Sequence, residues 1–459
     1  MAMHRIPTLA LVGVCLAAAS ASGWAKVSQA EADKLGKELT CIGAEKAGNK
    51  DGTIPAYSGK WLGVPPGLGY KGTGTPLPDP YASEKPLFVI TAQNMGQYGE
   101  RLTPGMKALL KKYPDSYNIP VYPSHRDFRY AEWVCKTAKE NAQVGELQDE
   151  GMGVDALTGA PAFPIPKSGL ELLWNSLLPV RAWKEQAVYD QAVVYPKGNI
   201  AWGRVKYDIL APVNDPTEKQ RPHTTNVLSS YFLTSVLLPE RQAGEIYVGK
   251  ESNNFKTTPR DTWSYNPGTR RVRQAPQFGF DMPFGPGGFR TVDDDRLFNG
   301  SPERYNWRIV GKREYYIPYD AYRFDDPSRK YADILKPGHA DPDAMRYELH
   351  RVWVLEATLK QGYRHQYAKR VMYLDEDTYH MVMADNYDAR GQLWRVAQQN
   401  YVYAYDMKAF QARTALFYDL VSGAYLADRL SNQQNAPSLN AANFTADHFT
   451  PDAARRAGR

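Results

Sequence analysis

This 459-residue chain has little of what most catalytic and metal sites are made from. It holds three cysteines and eight histidines. Cys15 lies in an apolar N-terminal run, which leaves only Cys41 and Cys135 and excludes a disulfide scaffold or a cysteine-rich zinc module. His125, His223, His339, His350, His365 and His380 stand apart, without the spacing of a metal-ligand set. There is no Gly-x-Ser-x-Gly elbow, no His-Glu-x-x-His and no phosphate-binding glycine loop. One-signed charge is scarce as well. Lys plus Arg is 56 and Asp plus Glu is 50, a net charge of +6 with no dense basic run, which argues against a nucleic-acid partner. Beyond residue 25 no apolar run is long enough to cross a bilayer. Strands and helices do not alternate as a doubly wound sheet would require.

The apolar run that is present lies at the start. A basic beginning (residues 1–5), an apolar stretch (6–21) and Gly23-Trp24-Ala25 before Lys26 have the layout of a secretory signal peptide, residues 1–25, cut after Ala21 or Ala25. Val14 precedes Cys15 where a lipid-attachment signal needs a small residue. In an exported chain the two remaining cysteines predict one disulfide, Cys41–Cys135, with two separate thiols as the alternative. Aromatic residues are abundant, with 31 Tyr and 10 Trp. Both types suit strands and surfaces with one wet end.

Three regions come after the signal. Residues 26–165 are loop-rich with short helices, read at 28–39, 91–101, 104–113 and 131–141. This part holds little core of its own and is expected to pack on the strand region rather than form a domain. Residues 166–432 open with 167–180, apolar at Leu170, Leu173, Trp174 and Leu177, the stripe of an amphipathic helix. From Trp183 the period becomes two. Strands read at 307–318, 347–359, 367–374, 379–387 and 393–396, joined by short turns, make an antiparallel meander. Residues 433–459 read as a loose polar tail. The fold class is therefore mainly β with flanking helices (α+β): a half-open antiparallel β-barrel with a helical lid.

The strands carry apolar residues on both sides. In 347–359, Tyr347, Leu349, Trp353, Leu355, Ala357 and Leu359 share one parity, while Val352 and Val354 lie on the other among Glu348, His350, Glu356 and Thr358. Met381 and Met383 share a parity with Tyr373 and Tyr379. A sheet apolar on both faces needs a cover on both faces: the helix and N-terminal region on one, a second layer or an apolar ligand on the other. The polar clusters have plainer readings. Asp293-Asp294-Asp295 lacks the spacing of a calcium loop and reads as a capping loop. Asp375-Glu376-Asp377 reads as a hairpin turn, and Arg270, Arg271 and Arg273 as charge protecting an edge strand.

Several segments resemble an uncharacterised family of exported Gram-negative proteins, a domain of unknown function similar to outer-membrane lipoprotein-sorting proteins. They are GAEKAGNKDGTIPAY (43–57), DPYASEKPLFVITAQNM (79–95), FPIPKSGLELLWN (163–175), WSYNPGTRRVRQAP (263–276), LFNGSPERYNW (297–307), YELHRVWVLEATLK (347–360) and YDARGQLWRV (387–396). The resemblance covers most of the chain after the signal. Cys41 departs from its pattern, so the disulfide is not implied by it. The resemblance implies a lipoprotein-carrier type of barrel around an apolar cavity, a periplasmic location, and work beside an exporter of the resistance–nodulation–division type.

The expected function is thus a periplasmic binding, carrier or accessory protein for a lipid or other hydrophobic molecule, needing no cofactor, with an inner-membrane exporter or outer-membrane proteins as further partners. The cavity candidates are Trp174 and Leu177 on the helix, with Tyr207, Trp263, Leu349, Trp353, Leu355, Met381 and Met383 on strands. One alternative is an enzyme using Glu348, His350 and Glu356 as acid/base groups. Another is a structural partner in an outer-membrane assembly. A one-residue register error would exchange the two strand faces.

Overall fold

A computed structural model describes residues 27–274 and 279–458; the expected signal peptide lies outside them. Two antiparallel meanders make one large sheet. The first runs through β1 (Lys184–Val194), β2 (Ile200–Leu210), β3 (Ser230–Leu238), β4 (Ile246–Glu251), β5 (Asp261–Asn266) and β6 (Arg271–Gln274). The second runs through β7 (Tyr305–Pro318), β8 (Tyr347–Leu359), β9 (Lys369–Asp375), β10 (Met381–Tyr387), β11 (Leu393–Ala404), β12 (Ala409–Asp419) and β13 (Tyr425–Leu430). They join where β13 pairs with β1, Leu426 opposite Val193 and Ala427 opposite Ala192. The far strands β6 and β7 do not pair with each other, so the sheet stays open. Exposed arginines at 271 and 273 lie on the free edge strand β6, where charge discourages edge-to-edge pairing. Among the described residues no helix is long and apolar enough to cross a membrane.

Pleating sorts the side chains into two faces. One row crosses nine strands: Ile309, Leu355, Met372, Ala384, Ala397, Phe417, Leu426, Val193 and Ala201 stand opposite one another in turn. This inner face carries the helix Gly169–Leu177. The neighbouring row, Val354, Tyr373, Met383, Leu416 and Ala427, faces outward.

Each face has its own cover. On the outside of the second meander lies helix α1 (Pro104–Lys112), whose Met106, Leu109 and Leu110 are buried with Ile54, Tyr81 and Ile119 against the strands. Thr103 caps it and Pro104 opens it, the arrangement that leaves fewest unpaired amides. On the inside, helix α2 (Glu132–Val144) and α3 (Gly169–Leu177) join one cluster with Leu355, Met372, Leu374 and Phe417. A capping box of Ser168 and Glu171 starts α3. Cys41 and Cys135, on the loop before α1 and on α2, are bonded to each other.

The outside of the first meander is covered by the chain's end. The loose tail expected after residue 432 is instead packed. Phe444 and Phe449 lie with Leu210, Leu233, Val248 and Tyr265, and helix α4 (Pro451–Ala457) adds Ala454. Two phenylalanines spaced among polar residues suffice to anchor it, because that face of β2–β5 is apolar and would otherwise be bare.

Candidate functional site

The inside of the first meander is finished differently from the other faces. There, Tyr189 and Gln191 of β1, Val205, Tyr207 and Ile209 of β2, Phe232 and Thr234 of β3 and Thr262 of β5 share one side of the pleat. Among the described residues no α-helix fills the space above them. An irregular segment, residues 280–299, crosses it and contributes Phe284, Arg290, Val292, Asp295, Arg296 and Asn299. Between segment and sheet lies a cavity of about 140 Å³. A wider hollow at the surface, about 720 Å³, adjoins it at Arg260 and Thr262.

The crossing segment is pinned by buried ion pairs. Thr291 and Asp294 form a capping box, as the capping-loop reading of this acidic run expects. Asp293 and Asp294 grip Arg370 of β9 at 3.0 and 2.7 Å. Asp295 reaches Arg429 of β13 at 3.2 Å. Burial alone would raise the Asp295 carboxyl, yet Arg429, Arg296 and Arg290 hold it well below the usual range. Pro286 is seated against β2 over Gly203, where a Cβ would stand 2.6 Å from the proline Cγ. Glycine leaves room there for the proline ring and the Gln191 side chain.

Five arginines and three carboxylates line this space: Arg181, Arg260, Arg290, Arg296 and Arg429, with Glu251, Asp295 and Asp428. Most are paired. Arg260 meets Glu251 at 2.7 Å and Arg290 meets Asp428 at 3.1 Å. Arg429 holds Asp295, stands 3.6 Å from Glu185 and donates to Tyr207 Oη at 3.3 Å. Arg181 is different: among the described residues its guanidinium has no ion-pair or hydrogen-bond partner. Burial, with Arg296 next and Arg429 adding to it, lowers Arg181 to about 10. It remains a cation at neutral pH.

Two of these arginines sit on left-handed backbone, Arg296 with φ 51° and Arg429 with φ 63°. That conformation costs a residue with a Cβ about 1–3 kcal/mol. At Arg429 the cause is visible. The β13–β1 register slips between Ala427 and Leu430, and this bulge turns Arg429 into the cavity.

The nine residues expected to line a cavity are not brought together. Tyr207 alone of them lines this one. Trp174, Leu177, Leu355 and Met381 lie in the inner cluster of the second meander, with Trp353 against it. Leu349 and Met383 belong to the outer cluster, and Trp263 packs on the outer face under the chain's end. Two local features separate residues of equal parity. Val382 is an extra residue between the pairs Tyr373–Met383 and Leu374–Met381, so Met381 and Met383 face opposite ways. The start of β8 runs past β9 and lies beside Val121 instead, which places Leu349 under a different cover from Leu355.

Of the three acid/base candidates, two stay together and Glu356 separates. His350 Nε2 and Glu348 Oε2 are 3.2 Å apart and both residues are buried. Glu348 is bound by Arg346 at 2.6 Å, accepts from the His125 amide at 2.7 Å and is held low by Arg346 and His350 against its burial. Glu356 is six residues further along the strand, roughly 20 Å, and pairs with Arg308 instead. Beside this network lies a pocket of about 20 Å³ lined by Tyr319, Asp320 and Asp377, room for a water rather than a substrate. His350, Asp375 and Asp377 bring ligand atoms within 4.8 Å of one another, but both Asp377 oxygens are taken by the Arg126 fork at 2.7 Å. A guanidinium already fills the cation's place. The turn reading of 375–377 holds, with Glu376 and Asp377 also tying the turn to Lys312 and Arg126.

The chain belongs to the family described as "Protein of unknown function (DUF1329)", whose model matches residues 89–455. It is 43% identical over 439 residues to "Uncharacterized protein PA3922" of Pseudomonas aeruginosa, covering 95% of this chain and 94% of that one. Among solved structures it is similar to a DUF1329 family protein from Desulfovibrio piger, at 14% identity and TM-score 0.38, covering 59% of this chain and 91% of that one. It is also similar to the LolA superfamily protein NE2245 from Nitrosomonas europaea, at 12% identity and TM-score 0.35, covering 63% and 100%.

Proposed function

We propose that this DUF1329 family member is a non-enzymatic binding protein that carries a hydrophobic molecule in the periplasm, held between the first meander and the 280–299 segment. The observation that carries the reading is the cavity itself: a sheet covered elsewhere leaves one stretch of its inner face lined but unfilled, beneath a segment pinned at Arg370 and Arg429. Apolar side chains at Val205, Ile209, Phe232, Phe284 and Val292 line it. Burying an acyl chain there contributes roughly 0.8 kcal/mol per methylene, so useful affinity needs no catalytic chemistry.

Native mass spectrometry after purification without detergent tests this. The expected spectrum contains a bound lipid or acyl compound, lost when Phe232→Asp puts an unpaired carboxylate in the cavity. A protein that carries nothing and binds no member of a lipid panel sinks the reading. Cooperation with an exporter of the resistance–nodulation–division type extends the same proposal, and cross-linking in intact cells that captures no such exporter removes that extension.

A further inference from the structure

We propose that the ligand of this cavity is an amphipathic anion, its carboxylate or phosphate head bound by Arg181 and Arg296 and its apolar body lying along β2 and β3. The inference rests on the carrier reading and adds the chemistry of the ligand.

The charges around the cavity do not balance from within. Glu251 and Asp428 are each engaged by their own arginine. Asp295 is shared between Arg429 and Arg296, at 3.2 and 3.7 Å. Glu185, just beyond the lining, is taken by the Tyr189 hydroxyl at 2.7 Å, the Gln411 amide at 3.0 Å and Arg429. With the carboxylates engaged, some donors remain. The whole Arg181 guanidinium is unpartnered among the described residues, and Nη1 of Arg296 and Nε of Arg290 are buried without a hydrogen-bond acceptor. The two cations feel each other, since Arg296 is the strongest charge acting on Arg181. They therefore border one space.

Two like charges bordering one half-buried space repel unless an anion lies between them. The open Arg181 fork suits a two-oxygen head, carboxylate or phosphate, held through parallel hydrogen bonds, with Nη1 of Arg296 as a further donor beside it. Beyond this cationic end the lining turns apolar, at Val205, Ile209, Phe232 and Val292. A neutral oil would leave the guanidinium groups unsatisfied, and a free inorganic anion would leave the apolar lining unused. A charged head on a hydrocarbon body meets both. The backbone agrees, because Arg296 is held in a conformation that side chains seldom adopt.

Isothermal titration of the purified full chain with decanoate, decyl phosphate, decanol and decyltrimethylammonium reads the head-group preference directly. The expected result is that decanoate or decyl phosphate binds at least tenfold tighter than decanol, with the ammonium weakest. The better of the two anions identifies whether the natural head is a fatty carboxylate or a phosphate ester. Arg181→Gln should cut the anion-to-alcohol ratio at least fivefold and leave decanol binding unchanged. Decanol binding as tightly as both anions to the wild-type protein overturns the anion proposal and leaves the carrier reading standing. Binding of none of the four overturns both. An unchanged ratio in Arg181→Gln, with thermal melting like the wild type, removes Arg181 and with it this assignment of the head-group end.

Discussion

The two meanders share one sheet and one pleat, yet their inner faces are completed by different means. Over the second meander, Trp174, Leu173 and Leu177 of α3 interlock with Leu355, Met372 and Phe417. Over the first, the cover is the irregular 280–299 segment, and charged groups stand among the apolar ones. The same contrast appears in how each half treats an unpaired charge. On the outer side of β10, Asp385 accepts from the Tyr373 hydroxyl and the Gly105 amide, and its other oxygen is unpartnered. Burial raises it to about 7, so it can lose its charge by taking a proton. Arg181 keeps its charge at neutral pH, and among the described residues its guanidinium has no ion-pair or hydrogen-bond partner. One half is a closed core, and the other is left open at a point of fixed charge.

Cutting into the closed half should give the largest effect. Trp174 is 1% exposed and its Nε1 donates to the Gly151 carbonyl at 2.9 Å. Trp174→Ala should cost about 3–5 kcal/mol in urea unfolding, because transfer energy and a new cavity add. Phe232→Ala, beside existing space, should cost about 1–2 kcal/mol while weakening binding of a hydrophobic fluorescent probe. Equal losses at both sites would erase the distinction between the halves.

Asp385 sharpens the comparison by pH. Its folded carboxyl titrates at about 7 and its unfolded one near 4. The folded state therefore holds the proton more tightly, and this contribution is complete below about pH 4 and lost as pH rises through 7. Asp385→Asn keeps an acceptor for Gly105 and Tyr373 without a charge. It should be more stable than the wild type at pH 8, by up to about 4 kcal/mol, with the advantage gone at pH 4. An advantage of equal size at both values would mean that packing, not charge, separates the two.

Much of the closed half is legible in the sequence, and little of the open half is. The stripe of α3 and the bounds of β8 can be read from the run of apolar residues and the turns that flank it, although both elements are buried on more than one side. β12 is buried at every position, so no alternation betrays it. The inner or outer side of Met381 and Met383 depends on a bulge at Val382 that parity cannot foresee. The cavity is harder still. It is made where a segment without periodicity crosses the sheet, and its character comes from which arginines find carboxylates. A hint lay in the acidic run 293–295, too short for a cation loop yet placed opposite Arg370 and Arg429. Only the tertiary fold shows that Arg181 is left over among the described residues.

The smallest effect on stability should come from loosening the cover itself. Gly203 leaves room for Pro286, and a Cβ there would also lie 2.9 Å from Gln191 Oε1. Gly203→Ala must push the proline or the glutamine aside. The alanine restricts the unfolded chain, which stabilises by about 0.4–1 kcal/mol, and the displaced contact offsets it. Net stability should thus stay within about 1 kcal/mol of the wild type. What should change is access. With Pro286 unseated, stopped-flow mixing with the fluorescent probe should show entry and release both accelerated several-fold, at nearly unchanged equilibrium affinity. The same measurement on Trp174→Phe, in the closed half, should show no acceleration. If Gly203→Ala leaves both rates as they were, the 280–299 segment is not the gate, and the ligand enters from the side of Arg260 and Thr262, where the surface hollow adjoins the cavity.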